Sequence, residues 1–232
     1  MYATQAGMKL FDCERHGADA ELFLVEGDSA ARSVAHLRDP RNQAVLPLQG
    51  KPLNAWKARA EKVAASPLYR QLSDALGTRS AIDPRPLSPE GTRFGRLSLL
   101  FDPDPDGVHI CALVLLYLQR WMPEWLADGR VLVVRAPMFS VAGPGRATTH
   151  AWSPEHAQAI LRQWTESGEA GGTLHRYVGL GSIPPDVLRA TCIDPATRQS
   201  RTASEADIVR LAAALHDIGK IGIPDRVLLK DG

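Results

Sequence analysis

The sequence predicts an α/β fold: an open, mainly parallel sheet flanked by helices, followed by a short helical appendage at the C-terminal end. Two observations carry that expectation. Short apolar runs of strand length alternate along the chain with stretches of helical periodicity, the pattern of successive strand and helix units. Two of those runs, 22–25 and 97–101, end in acidic clusters, Glu26-Gly27-Asp28-Ser29-Ala30 and Asp102-Pro103-Asp104-Pro105-Asp106-Gly107. Open α/β sheets bind ligands beyond the carboxyl ends of their strands, so both clusters are expected at one crevice.

Taken in order, strands are expected at 21–25, 44–47, 96–101 and 130–135, with a further one at 174–177. Helices are expected at 29–37, 53–63, 67–76, 108–121, 154–166 and 185–191. Pro67 and Pro154 suit a first helical turn, where a fixed φ helps and a missing N–H costs nothing. The segment 78–94, rich in Pro, Arg and Ser, reads as an exposed loop, and 143–149 and 168–173 as turns. There is no internal repeat.

A chain of 232 residues with 44% hydrophobic and 23% charged content can bury a substantial core, so one domain with a small appendage is the simplest organisation. The net charge of +1 gives no global attraction to nucleic acid. Between residues 32 and 70, however, eight Lys or Arg stand against Asp39 and Glu61. A basic stripe beside an acidic site suits a phosphodiester backbone, and a solvated helix face is the alternative reading. Cys13, Cys111 and Cys192 form no C-x-x-C pair, as expected of reduced thiols in a cytoplasmic protein. The N terminus lacks the pattern of a signal peptide, and the longest apolar run, 110–118, is far short of a membrane span. A soluble, cytoplasmic chain with no membrane partner is therefore expected.

Carboxylates held this close repel one another unless a cation neutralises them. Hard oxygen donors select Mg²⁺, with Mn²⁺ or Ca²⁺ as substitutes, over zinc or copper. The D-x-D-x-D-G spacing also opens a calcium-binding EF-hand loop, but that loop needs Glu at its twelfth position and this chain has Leu113 there. A ligand-free turn is the remaining bland reading, since Asp, Pro and Gly are common turn formers. Pro103 and Pro105 favour extended backbone at Asp102 and Asp104, and an extended run would put all three aspartates on one side.

Five motifs follow one another in an order that resembles a known family: 21–29 (ELFLVEGDS), 43–57 (QAVLPLQGKPLNAWK), 102–107 (DPDPDG), 122–124 (MPE), and 176–181 (RYVGLG) with 194–198 (DPATR). They resemble the TOPRIM region of the B subunit of bacterial type IIA DNA topoisomerases, gyrase and topoisomerase IV, over residues 10–201. The resemblance implies a TOPRIM-like sheet and a Mg²⁺-dependent DNA cleavage and religation module. In it Glu26, Asp102, Asp104 and Asp106 hold the metal, and Glu26 also handles the proton of the 3′ oxygen. Lys51 matches a family lysine near the cleaved DNA and joins Glu26 as a catalytic candidate. Arg32, Lys51 and Lys57 are candidate DNA contacts. Double-stranded DNA and an A-type subunit carrying the nucleophilic tyrosine are the implied partners; none of Tyr2, Tyr69, Tyr117 and Tyr177 matches that tyrosine. The ATPase and transducer regions of such a subunit do not fit in the twenty residues before Glu21, and no Gly-rich phosphate loop is visible, so no ATP site is expected.

Several positions depart from the family pattern. Ala31 and Arg32 stand where it has two glycines, and a Cβ or guanidinium there is expected to crowd nucleic acid. Arg32 equally suits a phosphate contact. Pro103 and Pro105 replace small or aliphatic residues, Ser182-Ile183 replaces Glu-Met, and Val178 replaces a lysine.

The tail carries a second resemblance. Residues 211–232 (LAAALHDIGKIGIPDRVLLKDG) are similar to the opening of an HD-GYP phosphodiesterase domain, with His216 and Asp217 matching its metal-binding pair and Lys220 the lysine that follows. One pair cannot complete a metal site, so 205–232 is expected to be a truncated fragment without activity of its own. An amphipathic helix over 205–215 packing on the main domain is the bland alternative. Two rival functions stand beside the topoisomerase reading. One is a non-catalytic DNA-binding or partner-docking module, the other the N-terminal part of an HD-GYP cyclic-di-GMP phosphodiesterase.

Overall fold

Leu22, Phe23, Leu24 and Val25 are each 0% exposed, as a strand covered on both faces requires. The computed structural model describes residues 9–88, 91–167, 172–204 and 206–208. From its N-terminal side run β1 (Gly17–Glu26), α1 (Gly27–Leu37), β2 (Gln43–Leu48), α2 (Ala60–Ala65) and α3 (Pro67–Leu76). The hairpin β3 (Thr78–Ser80) and β4 (Asp83–Pro86) leads into β5 (Phe94–Leu99), α4 (Pro105–Trp121), α5 (Pro123–Ala127) and β6 (Val131–Val134). There follow β7 (Phe139–Ala142), β8 (Thr149–Ala151), α6 (Pro154–Glu166), β9 (Thr173–Arg176), α7 (Pro185–Leu188), a π turn Arg189–Ile193 and β10 (Ser200–Thr202).

The main sheet has the order β10-β6-β5-β1-β2, with β6, β5, β1 and β2 parallel and β10 antiparallel at the edge. Because side chains alternate along a strand, Leu22 and Leu24 pack on one face with Leu72, Leu76, Val114 and Leu118 of α3 and α4. Phe23 and Val25 pack on the other, with Val34 of α1, Leu188 of α7 and Ile193. The expected α/β class and mainly parallel sheet are therefore present. Tyr69 and Tyr117 stack at 4.2 Å between ring centroids. Their hydroxyls donate to Leu53 O at 2.6 Å and Ala81 O at 2.8 Å, so both tyrosines are satisfied core residues.

A smaller antiparallel sheet, β8-β7-β9, buries Phe139, Val141 and Ala151 against Ala157, Ile160 and Trp164 of α6. The strand expected at 174–177 belongs to this second sheet. Other expectations are corrected too. The helix expected from 53 begins only at Ala60. Asn54 Oδ1 accepts from Trp56 N and Lys57 N at 3.1 and 3.3 Å, bending the chain into a turn. The carbonyls of Ala55, Trp56 and Ala58 accept from Arg120 Nη1 at 2.7, 2.7 and 2.8 Å, a demand made by a residue distant in sequence. The loop expected at 78–94 contains the β3–β4 hairpin and the start of β5, and the helix expected at 185–191 widens at Arg189 into the π turn. No described helix is long and apolar enough to cross a membrane. Of the tail, only 206–208 are described; the remainder of the expected fragment 205–232, with His216, Asp217 and Lys220, lies outside the described residues.

One buried polar network crosses the centre of the main sheet. Glu21, 3% exposed, sits in β1 opposite Gln43 of β2. Its Oε1 lies 2.7 Å from Arg198 Nη1 and accepts from Ser98 Oγ of β5, and its Oε2 accepts from Gln43 Nε2 at 3.0 Å. The same Gln43 amide donates to Ile193 O at 3.2 Å. Arg198→Ala is expected to lower unfolding free energy by about 3–5 kcal/mol, because it leaves a buried carboxylate without its counter-charge. The apolar double variant Glu21→Leu/Arg198→Met should recover more than half of that loss. Urea unfolding of the three proteins checks both, and a cost below about 1 kcal/mol for Arg198→Ala would show the pair to be dispensable.

Candidate metal centre

Strands β1 and β5 are parallel neighbours with Leu24 opposite Leu99, so the residues that leave their C-terminal ends emerge on one edge. Glu26 is the last residue of β1 and precedes the first turn of α1; Gly27, at φ +72°, allows the abrupt change of direction. Asp102 follows β5 by three residues. Asp104 caps α4, its Oδ1 accepting from Gly107 N at 2.7 Å, and Pro105 occupies the first turn. A Cβ on Gly107 would lie 2.1 Å from Asp102 O, so the helix and the acidic segment touch through bare backbone.

The extended D-P-D-P-D run is corrected in part. Asp104 is extended, but Asp106 lies in the first helical turn, because the Asp104 cap and Pro105 start the helix earlier than the apolar pattern alone indicates. Lys51, in the loop after β2, places its Nζ 2.7 Å from Asp106 Oδ1. Asp102 Oδ1 accepts from Leu180 N at 2.8 Å, a contact spanning 78 residues of sequence.

Electrostatics ties these groups together. Burial raises the pKa of Glu26, and the nearby Asp102, Asp104 and Asp106 raise it further, against a smaller opposing effect of Lys51. Burial likewise raises Asp102; the Leu180 N–H opposes that shift and Asp104 adds to it. The four carboxylates thus share a field that a positive charge would relieve, and an all-oxygen donor set fits a hard divalent cation. They form an open mouth: no three of them bring their oxygens within 4.8 Å of one another.

Among the described residues, the trio that does approach that closely is Asp12, Cys13 and His16, which sequence reasoning did not single out. Arg93 supplies a cation there already. Its guanidinium pairs with Asp12 and lies 2.8 Å from His16 Nε2.

The remaining sequence candidates fall in different places. Arg32 is exposed on α1 and lines a cleft with Lys9, Phe11 and Asp28, beside the four carboxylates rather than among them. Lys57 is exposed at the turn that Asn54 initiates. Ala31 is 0% exposed and packed with Phe23, Val25 and Val34, so its Cβ fills the core and cannot crowd a ligand. Val178 is 84% exposed. Arg176 was not proposed as a site residue, yet it lines a cleft with Asp102, Asp104, Met138 and Val178. Its only signal in the sequence is its place at the head of the RYVGLG motif.

Comparison with known proteins gives the arrangement a family. Residues 21–136 match the model of the Toprim domain. The DNA gyrase B subunit of Halalkalibacterium halodurans is 36% identical over 191 residues, covering 82% of this chain and 29% of that protein. The DNA topoisomerase 4 B subunit of Haemophilus influenzae is 34% identical over 224 residues, 96% of this chain and 33% of that protein. The corresponding topoisomerase 4 protein of Escherichia coli is 34% identical over 192 residues, 82% and 30% of the two chains. The chain therefore spans about a third of the length of the curated relatives it matches.

Because Glu26 holds its proton more tightly when folded than at its ordinary value of 4.5, the folded state loses stability as pH rises from that value through the raised one. Glu26→Gln is expected to stabilise the protein in chelator at neutral pH by roughly 0.5 kcal/mol, a figure discounted for solvent screening. The gain should vanish below the ordinary glutamate range. Urea unfolding at the two pH values measures it, and a Gln variant less stable at neutral pH would contradict the assignment.

Proposed function

This chain belongs to the Toprim family and is homologous to the B subunits of type IIA topoisomerases, and from that premise we propose that it is the metal-dependent DNA cleavage and religation module of such an enzyme. The module takes residues 10–201. It acts on double-stranded DNA together with an A-type subunit that supplies the nucleophilic tyrosine.

The observation that supports this reading most is the parallel register of β1 and β5, which brings Glu26 and the segment carrying Asp102, Asp104 and Asp106 to one edge of the sheet. Glu26, Asp102, Asp104 and Asp106 would hold Mg²⁺, with Mn²⁺ or Ca²⁺ able to replace it. When bound, the cation neutralises charge on the reacting phosphate and its oxygens.

The chain's own residues do the rest. Glu26, at the end of β1, is the carboxyl group that would give or take the proton of the 3′ oxygen. Asp102 and Asp104 each have one oxygen committed to a backbone N–H, which holds the two carboxylates in place. Lys51, already paired with Asp106 at the mouth, can exchange that partner for a phosphate oxygen. Lys57, Arg59, Lys62 and Arg70 are exposed and give the basic flank along which a DNA backbone can lie, and Arg32 offers a further phosphate contact.

The test pairs the full chain with a gyrase or topoisomerase IV A-type subunit, supercoiled plasmid and Mg²⁺. Detergent-trapped nicked and linear DNA is expected. Asp104→Asn should reduce it at least about 10-fold while leaving plasmid binding in chelator unchanged. Plasmid binding by the wild-type chain without trapped cleavage would replace this reading with that of a DNA-docking module.

A further inference from the structure

Asp102 is oriented by a turn from the far end of the domain. Leu180, whose N–H donates to Asp102 Oδ1, is 1% exposed and anchored among Ala30, Val34 and Ile183. The turn that presents this N–H is closed by one hydroxyl. Ser182 Oγ accepts from Val178 N at 2.7 Å and donates to Gly179 O at 2.9 Å, while Ser182 N donates to the same carbonyl at 3.2 Å. The hydroxyl thus joins the donor before the bend to the acceptor at its corner, beside the backbone bonds Ser182 N to Gly179 O and Ile183 N to Leu180 O, the latter at 3.2 Å.

The fit around Asp102 has no slack. Gly179 adopts φ +75°, and a Cβ there would stand 2.8 Å from Asp102 Oδ2. A shift of the turn therefore moves the carboxylate or withdraws the N–H that holds it. A hydroxyl can do both at once, accepting from Val178 N and donating to Gly179 O.

We propose that Ser182 is a positioning residue for Asp102, the latch that keeps 178–182 closed so that the Leu180 N–H holds the carboxylate in place as a ligand for a divalent cation. This role rests on the metal-holding reading of the four carboxylates. Groups that orient a metal ligand without touching the metal act in this way.

The test compares the full-length wild type with Ser182→Ala and Ser182→Thr. Hydrogen exchange of the Leu180 amide is measured in chelator and Mn²⁺ affinity by calorimetric titration, with urea unfolding to show that each variant is folded. Ser182→Ala is expected to accelerate Leu180 exchange and to weaken Mn²⁺ binding by roughly 10-fold, whereas Ser182→Thr, which keeps the hydroxyl, should stay within about two-fold of the wild type in both. Unchanged Leu180 exchange or unchanged Mn²⁺ affinity in Ser182→Ala, with the wild type binding Mn²⁺, overturns the latch alone. Failure of the threonine variant to preserve either quantity also overturns it. A wild type that binds no Mn²⁺ overturns the metal-holding reading and the latch with it.

Discussion

The parallel register between β1 and β5 is the constraint on which the site depends. With Leu24 opposite Leu99, Glu26 and the Asp102 segment leave the sheet at one edge. A slip of one residue would exchange the two faces of β1, carrying Phe23 and Val25 into the cluster built for Leu22 and Leu24. Apolar side chains on both faces do not by themselves forbid that exchange, because leucine, valine and phenylalanine are all tolerated in a core. A buried polar group does forbid it. Glu21 finds Ser98, Gln43 and Arg198 only in the observed register, and in any other it would be buried without partners. The network therefore ties β1, β2, β5 and the segment after the π turn into one alignment, and the position of Glu26 follows five residues along the strand.

What that alignment creates is electrostatically unfavourable. Four carboxylates lie near enough to repel one another, and both Glu26 and Asp102 resist ionisation more than their ordinary counterparts. The fold offsets this locally. Asp104 spends one oxygen on the first turn of α4, Asp102 spends one on Leu180, and Lys51 lies against Asp106. None of these contacts removes the repulsion felt by Glu26. A folded domain that keeps such a cluster gives up stability for it, the usual mark of a site shaped by function.

The sequence showed the parallel sheet because strands buried on both faces are continuous apolar runs, and it showed α3 and α6 to the residue because Pro67 and Pro154 mark their first turns. It did not show β7 and β8, which span four and three residues and are too short for a period to register. The helix expected from residue 53 was lost to Arg120, whose guanidinium takes carbonyls that a helix would have used. At the site, the carboxylates themselves were legible, since each closes an apolar strand in an obvious motif. Their second layer was not. The Leu180 N–H meets Asp102 across 78 residues, and a backbone donor leaves no trace in residue identity.

The departures from the family pattern divide by where the fold puts them. Ala31 is absorbed by the core, and Arg32, one residue on, projects to solvent beside Asp28. Val178 is an exposed apolar side chain outside the hydrophobic clusters. Pro103 lines the clefts around the site, and Pro105 contributes to the start of α4. Among them, only the side chain of Ser182 bonds within the turn that grips Asp102. These positions thus lie around the four carboxylates and replace none of them.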